Sequence, residues 1–417
     1  MKSTQATPIK RSRVVSASPI YYGWVILLAG TFGIFMTMPG QTVTVGVFLD
    51  KIIADLGLSR TRVSDMYAIA TLTGSLALPF VGRFIDKRGP RITVIIVTSL
   101  FALACVFMGL IQGLIMLFIG FVLIRSLGQG ALSMVSAHVI NIWFVRRRGL
   151  AIGLSGLGGA LGIALFPQLV ESLLNNFSWR TSYMLLGLFV ATTILPIGAW
   201  LFRGQPELFG LEPDGAAAKK ELREEIFTAA EARRTVTFWL YVTAIFLMSA
   251  LGTALLFHNY DILAEQSLGR DIATQVFVPI GFVLLIANLV TGYLVDRFPP
   301  RYILSLAQAL LVIVLILSTQ LTAQTVLLYG VIFGLTMGMS ATLNSMVFAY
   351  YFGRKHLGSI KGQVTTIGVA GSAFGPTLFS RGKDFFGQYE MIILIAAALP
   401  LLIAVIAPFI KPPKKSD

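Results

Sequence analysis

The chain has 417 residues, of which 56% are hydrophobic and only 12% are charged, and its mean hydropathy is +0.80. A soluble core could not hide that much apolar surface, so the composition excludes an ordinary soluble protein and indicates a chain solvated by the lipid bilayer. The net charge of +14 does not indicate nucleic-acid binding, because the cations are not gathered on one soluble face with stacking aromatic residues.

Residue types that support catalysis or metal binding are scarce. The one cysteine, Cys105, excludes a disulfide or a multi-cysteine metal site within the chain. Three histidines are too few for a rich metal site, and the sequence lacks the Gly-Lys-Ser/Thr loop that ATP-driven pumping needs. We therefore expect neither an enzyme nor a protein with a cofactor or a metal.

The predicted elements are apolar stretches near or above the length needed to cross a bilayer. The first follows a basic, polar tail and is too long for a cleaved signal region, so we interpret it as a retained helix. The predicted fold class is an all-α membrane protein with twelve transmembrane helices. Their predicted positions are 22–49, 62–85, 92–111, 114–143, 149–174, 180–202, 237–260, 273–295, 302–320, 325–351, 360–380 and 390–410.

A single long polar segment separates the first six predicted helices from the last six. It contains prolines and a run of charged residues, which is typical of a cytoplasmic linker. The predicted division is a tail at 1–21, a six-helix bundle at 22–202, the linker at 203–236, a second bundle at 237–410 and a tail at 411–417.

The distribution of Lys and Arg predicts the orientation in the membrane. With the first tail in the cytoplasm, about 25 of the 33 cations fall on the cytoplasmic side and about seven on the outer side. Only Arg125 is assigned to neither side, because it lies deep inside a predicted helix. We therefore expect a multi-pass protein of the plasma (inner) membrane with both termini in the cytoplasm.

A short motif occurs twice, at 82–91 and 292–301, each time between two predicted helices. Both copies place a glycine, an aspartate, a cation and an arginine at the same spacing, which indicates two related halves. A carboxylate at a helix end can hold cations in one conformation and release them in another, as a gate does; the alternative is a static loop contact. The predicted gating residues are Gly82, Asp86, Arg91, Gly292, Asp296 and Arg301.

These residues resemble the major facilitator superfamily along nearly the whole chain. The motif at 82–91 matches its best-known signature, and residues 125–130 (Arg-Ser-Leu-Gly-Gln-Gly) are similar to a second, looser one. Residues 21–24 (Tyr-Tyr-Gly-Trp) and 206–211 (Pro-Glu-Leu-Phe-Gly-Leu) resemble the monocarboxylate and oxalate/formate porter branch. The resemblance implies the major facilitator fold, with two pseudo-symmetric six-helix bundles.

The chain departs from that branch at its usual cations. Where the branch usually places an arginine in the eighth helix, this chain has Asn288. The lysines usual in helix eleven of the oxalate type and helix one of the monocarboxylate type are absent from 365–367 and 40–42. Arg125 is the only central cation left.

Arg125 is the most specific single candidate for substrate binding. An arginine deep in a membrane helix commonly costs about 2.5–3.5 kcal/mol on insertion scales, so it should face a cavity and a partner. Its guanidinium could hold a carboxylate through two parallel hydrogen bonds. The alternative is a structural role, in which Arg125 bonds backbone carbonyls or Glu171.

Neutral polar residues in other predicted helices complete the expected binding site. Gln41 follows a Pro-Gly pair that interrupts the first helix, and broken helices can expose backbone groups to a substrate; a tolerated kink is the alternative. The predicted substrate-binding residues are Arg125, Gln41, Asn288 and Asn344.

Two residues are candidates for proton coupling. His258 lies near the end of the seventh predicted helix, and histidine exchanges protons near neutral pH. Because Asp261 and Glu265 follow it, the alternative is that His258 marks the water boundary. Glu171, near the outer end of the fifth predicted helix, is the second candidate.

The sequence favours a secondary active transporter that moves a small solute by alternating access, driven by a gradient. A small organic anion such as a carboxylate is the favoured solute, with symport, antiport and proton coupling left open. The alternatives are an efflux carrier for drugs or metabolites on the same fold, and a transporter-like receptor. The expected partners are the small solute and the bilayer, without nucleic acid, and the expected state is monomeric.

Overall fold

The computed structural model describes residues 12–144, 148–213, 227–295, 297–353, 357–410 and 412–413. Throughout these ranges the regular structure is helical, which confirms the predicted all-α membrane class. Eleven helical stretches of the described chain are long and apolar enough to cross a bilayer. They are Gly23–Leu56, Arg60–Ile85, Lys87–Met108, Leu114–Trp143, Leu150–Asn176, Trp179–Trp200, Val236–Phe257, Arg270–Val295, Pro300–Ser318, Val326–Phe352 and Tyr389–Phe409.

The α-helices are numbered in chain order. Those of the first half are α1 Arg13–Ser16, α2 Gly23–Phe35, α3 Thr42–Leu56, α4 Arg60–Ser75, α5 Leu78–Met108, α6 Leu114–Ile124, α7 Ser133–Trp143, α8 Arg148–Asn176 and α9 Trp179–Trp200. Those of the second half are α10 Ala229–Ala232, α11 Val236–Phe257, α12 Asn259–Glu265, α13 Arg270–Gln275, α14 Phe277–Val295, α15 Pro300–Ser318, α16 Val326–Phe352, α17 Leu357–Phe386 and α18 Tyr389–Ile406.

The helix predicted at 360–380 corresponds to α17, which has 30 residues but is not among the eleven apolar stretches. Glycine, serine and threonine are frequent in α17, and they lower its hydropathy while allowing close packing. A Cβ added at Gly371 would lie 2.6 Å from the carbonyl oxygen of Phe246 in α11, and one added at Gly375 would overlap that of Ala250. The count of twelve spans stays a prediction.

Contacts between residues divide the chain into two compact units. The first unit contains Met1–Gln41, Gly74–Gly162 and Phe177–Glu221, and the second contains Thr42–Thr73, Ile163–Asn176 and Leu222–Asp417. The second unit therefore joins α3, most of α4 and the second half of α8 to α10–α18. This grouping follows proximity, whereas the predicted bundles at 22–202 and 237–410 follow the order of the sequence and stay a prediction.

Two helical spans of the first unit change their winding near the middle. In the first, α2 gives way to a 3₁₀ turn at Met38–Gly40, where Pro39 lacks the N–H that a continuous α-helix needs. In the fourth, a π-helical turn at Arg125–Leu132 lies between α6 and α7. Both irregular turns lie inside apolar segments, and two of the four predicted substrate-binding residues, Arg125 and Gln41, lie on or next to them.

Candidate functional site

Arg125 occupies the first position of the π-helical turn and is 3% exposed. Its Nη1 donates a hydrogen bond to the carbonyl oxygen of Gly40 at 3.3 Å. The helix break frees backbone groups that a regular helix would use, and a guanidinium is well suited to satisfy a freed carbonyl. Wide π turns occur often at functional sites. Arg125 therefore bonds a backbone carbonyl, as the structural alternative expected. Its role in substrate binding stays a prediction.

Glycines allow the first and fourth spans to touch at this contact. A Cβ added at Gly40 would overlap the carbonyl oxygen of Ile124 and would lie 3.2 Å from the Cα atom of Gly128. Glycine is therefore required by close approach at this point. Gln41 follows directly, is half-buried, and its Nε2 donates to Thr37 Oγ1 at 3.1 Å. The structure thus brings Arg125 and Gln41 to the same helix break.

The two predicted asparagines lie in the second unit, on neighbouring helices. The hydroxyl of Thr342 in α16 donates to Asn288 in α14, and its one proton is shared between Oδ1 at 3.1 Å and the backbone oxygen at 3.2 Å. Asn344 is exposed and lines a small cavity between α11, α15 and α16. Asn288 is therefore bonded to α16 at Thr342, two residues before Asn344.

Seven charged side chains form a connected cluster in the second unit, which we call the ion-pair cluster. Arg60 lies 2.5 Å from Asp50 and 3.1 Å from Asp261. Lys383 lies 2.8 Å from Asp261. The members are Asp50, Arg60, Glu171, Asp261, Glu265, Arg270 and Lys383. Three cations among four carboxylates leave the cluster close to neutral, as partly buried charges require.

Arg270 is the most completely bonded cation of the cluster. Its Nε lies 2.7 Å from Glu171, its Nη1 lies 3.2 Å from Asp50, and its Nη2 donates to the carbonyl oxygen of Val47. The guanidinium also lies 4.4 Å from the centre of the Tyr260 ring. Every nitrogen of the group therefore has an acceptor, and one face is covered by an aromatic ring.

Glu171, predicted as a proton carrier, is a member of this cluster and is 9% exposed. Its Oε1 accepts from Arg270, whereas its Oε2 is buried without a hydrogen-bond partner among the described residues. A buried carboxylate is costly unless it is paired, so Glu171 depends on the Arg270 guanidinium.

His258, the other predicted proton carrier, is fully buried at the end of α11. Its Nε2 lies 2.9 Å from the carbonyl oxygen of Pro376, and its Nδ1 lies 3.0 Å from the hydroxyl of Tyr389. A carbonyl only accepts, so the ring proton sits on Nε2, and Nδ1 accepts from Tyr389. Both ring nitrogens are thus used in joining α11 to α17 and α18.

Asp261 in α12 shows how the cluster controls ionisation. Burial alone raises the pKa of its carboxyl, but the Arg60 guanidinium and the hydrogen bond from Lys383 oppose burial and leave the pKa below its ordinary value of 3.8. Asp261 therefore remains an anion over the physiological pH range.

The duplicated motif is described only in part. Asp296 and the side chain of Asp86 lie outside the described residues. Arg91 is exposed, whereas Arg301 donates to the carbonyl oxygen of Ile410 at 3.2 Å. The glycines are not required by packing, since a Cβ at Gly82 would have no neighbour closer than 4.0 Å and one at Gly292 would have none within 4 Å. Gating by this motif stays a prediction.

Sequence reasoning missed Asp50, Arg60, Arg270 and Lys383 as members of a site. Each lies near a predicted helix end, where charged residues are usual, and each has a bond to a segment far away in sequence. The available signal was that these four, with Glu171, occur on the same predicted side of the membrane.

Comparison with known proteins identifies the family. The model of the Major Facilitator Superfamily matches residues 27–376 and 262–417. The oxalate:formate antiporter of Oxalobacter formigenes is 28% identical over 202 residues, which cover 48% of this chain and 46% of the antiporter. Monocarboxylate transporter 6 of Homo sapiens is 30% identical over 166 residues, which cover 40% of this chain and 33% of that protein.

A longer match exists at lower identity. Monocarboxylate transporter 3 of Rattus norvegicus is 26% identical over 400 residues, which cover 92% of this chain and 79% of the relative. The first two relatives are matched over less than half of their own length. The family model covers most of the chain, and the eleven apolar helical stretches agree with a multi-pass integral membrane protein. The chain belongs to the Major Facilitator Superfamily.

Proposed function

We propose that this transporter moves a small organic anion carrying a carboxylate, by gradient-driven alternating access. The observation that carries the proposal is the buried guanidinium of Arg125 at the broken first helix, 3.3 Å from Gly40. A permanent charge inside a membrane protein is costly and is usually retained for function. Relatives named as oxalate:formate and monocarboxylate transporters support a carboxylate as the solute.

Within this proposal, Arg125 orients the carboxylate. Its Nη1 donates to the carbonyl oxygen of Gly40, which is a neutral acceptor. This contact therefore does not neutralise the positive charge of the guanidinium. Gln41 beside Gly40 contributes an amide, and the amides of Asn288 and Asn344 stay predicted from the sequence. Neutral amides add hydrogen bonds without repelling an anion, which suits a site with a single cation.

The orientation belongs to the same proposal. The excess of Lys and Arg on one side predicts cytoplasmic termini, which puts the ion-pair cluster on the outer face. There, α3, α4 and the end of α8 are bonded to α12, α13 and α17 by Arg270, Arg60 and the exposed pair Arg381 and Asp65. Such contacts between the two sequence halves support a conformation closed to the outside, and alternating access requires that they break.

Proton coupling is assigned in this proposal to Glu171 rather than His258. Glu171 has a buried oxygen without a hydrogen-bond partner in the described part of the chain, where a proton can reside. The charged and titratable groups around it are Arg270 of α13, Asp50 of α3 and Tyr260 of α12. His258 has both ring nitrogens occupied, so charging it would disrupt a buried contact.

The test is uptake of radiolabelled oxalate and acetate by proteoliposomes, with and without an inward proton gradient. We expect the parent protein to take up at least one of the two anions. Arg125→Gln should lose this uptake although the variant remains folded. Arg180→Gln is the matched control, because Arg180 donates to the carbonyl oxygen of Ile111 at 2.9 Å, away from the helix break. Uptake unchanged in Arg125→Gln would remove Arg125 from the site, and uptake of neither anion would reject this solute class.

A further inference from the structure

The cations of the ion-pair cluster differ in where their partners come from. Lys383 bonds Asp261 and Glu265, both from its own half of the sequence. Arg60 bonds Asp50 from its own half and Asp261 from the other. If the two halves separate on this face, each of these cations therefore keeps at least one carboxylate.

Arg270 behaves differently, because all of its hydrogen-bond acceptors come from the other half. Glu171 belongs to α8, and Asp50 and the carbonyl of Val47 belong to α3, whereas Arg270 begins α13. Separation would remove all three contacts at once. Among the described members of the cluster, Arg270 is the cation that opening would leave without a carboxylate.

Contacts within its own half would keep the Arg270 guanidinium in position after opening. It rests on the Tyr260 ring at 4.4 Å, and the Tyr260 hydroxyl lies 3.0 Å from Thr274 Oγ1. Thr274 in turn donates to the backbone oxygen of Arg270 at 2.9 Å. A side chain held in this way loses little conformational freedom when it binds a new partner.

We propose that Arg270 captures the incoming anion at the outer mouth, exchanging Glu171, Asp50 and Val47 for a carboxylate of the solute when this face opens. The inference rests on the proposed function, since it takes a carboxylate as the solute. A carboxylate of the solute would bind the Arg270 guanidinium through the same kind of charge-assisted hydrogen bond that Glu171 makes. Solute and Glu171 therefore compete for one cation, and closure restores the original pair as the solute moves inward.

Competition between the solute and Glu171 for Arg270 predicts effects on anion binding that a purely structural Arg270–Glu171 contact does not. Removing the competitor by Glu171→Gln should strengthen anion binding, whereas removing the acceptor by Arg270→Gln should weaken it. If the pair only held the two segments together, both variants would break the same contact and would change binding in the same direction. The sign of the two effects therefore separates capture from a structural role.

The first experiment measures the KM for radiolabelled oxalate in counterflow, which needs no proton gradient. We expect Arg270→Gln to raise KM at least tenfold, Arg270→Lys to raise it less, and Glu171→Gln to lower it severalfold. Arg381→Gln is the matched control, because Arg381 also pairs across the halves, with Asp65, but its side chain is 65% exposed. A KM that changes in the same direction in Arg270→Gln and Glu171→Gln overturns the proposal.

The second experiment reports opening without any transported solute. Cys105 is buried and is the only cysteine of the sequence, so Cys105→Ser gives a cysteine-free background. Thr44 in α3 is fully buried, and Thr44→Cys should react slowly with a membrane-impermeant maleimide applied from outside. Glu171→Gln and Arg270→Gln should each raise that rate severalfold, whereas Arg381→Gln should not.

The two experiments separate failure of this inference from failure of the proposed function. If neither oxalate nor acetate is transported by the parent protein, the solute class fails and with it the capture role, whatever the labelling rates. If oxalate is transported but its KM is the same in Arg270→Gln, capture fails while the proposed function stands. Labelling rates unchanged in Glu171→Gln and Arg270→Gln would show that the pair does not hold this face closed, which also overturns the inference.

Discussion

Arg125 and Gly40 are joined by a hydrogen bond of 3.3 Å from a buried guanidinium to a carbonyl oxygen at the broken first helix. The contact couples the π-helical turn of the fourth span to the 3₁₀ turn of the first. Neither turn is α-helical, and the backbones of the two spans approach so closely that Gly40 has no room for a side chain. A solute bound to Arg125 would therefore act directly on the break in the first helix.

Replacing Arg125 by lysine should preserve the charge but not the geometry. Lysine offers one ammonium in place of the planar fork, so it cannot bond Gly40 and both oxygens of a carboxylate in the same arrangement. Losing one charge-assisted hydrogen bond costs about 1.5–3 kcal/mol. We expect Arg125→Lys to fold and to raise the KM for oxalate roughly 10- to 100-fold, measured in the counterflow assay. An unaltered KM would contradict a bidentate role for Arg125.

Two adjacent glycines of α8 should respond oppositely to alanine. A Cβ at Gly158 would overlap the carbonyl oxygen of Thr31, whereas a Cβ at Gly159 would have no neighbour within 4 Å. Overpacking costs about 1–3 kcal/mol, while alanine in an open helical position is favoured over glycine by up to about 1 kcal/mol. Thermal unfolding in detergent should show a lower Tm for Gly158→Ala and an equal or higher Tm for Gly159→Ala. Equal losses in both variants would show that α8 does not pack on α2 in this register.

The stability contributed by Asp261 should depend on pH in the acidic range. Its folded pKa lies below the ordinary 3.8, so the contribution is fully present above about pH 5 and is lost as the pH falls through the folded pKa. Asp261→Asn removes the carboxylate that Arg60 and Lys383 share. We expect the variant to be less stable than the parent at pH 7, by about 1–3 kcal/mol, and the difference to shrink below pH 4. Unfolding curves of both proteins from pH 3 to 8 would measure the difference in stability. A difference that grows as the pH falls would contradict a lowered pKa for Asp261.

The two proton-coupling candidates predict different pH profiles. If Glu171 carries the proton, parent uptake should rise as the external pH falls, and Glu171→Gln should make uptake independent of pH. His258→Gln should lower stability, because it disturbs contacts with Pro376 and Tyr389, but it should keep the pH dependence. Uptake measured between pH 5.5 and 8 tests both, and the reverse pattern would transfer the role to His258.

Much of the architecture could be predicted from the sequence. Apolar stretches of bilayer length predicted an all-α membrane protein, and the described helices agree because backbone groups in lipid must bond within their own segment. The interruption of the first span could be anticipated from Pro39 and Gly40, since proline removes a backbone donor. The cost of burying Arg125 marked that residue before any contact was known.

The partners of the charged residues could not be predicted in the same way. Arg125 bonds a backbone carbonyl, and every residue carries one, so residue types alone do not indicate which is near. Arg270 and Glu171 are 99 positions apart and look like ordinary charges at helix ends. Gly158 and Gly159 are chemically identical, yet only one of them lies against α2.

The sequence by itself determined that this chain is helical and dissolved in lipid, because hydropathy and helical length are properties of each segment alone. Only the tertiary structure decided which charges meet, because electrostatic pairing depends on distances between segments that are remote along the chain. The grouping of Arg270 with Glu171, Asp50 and Val47 belongs to that second kind of information.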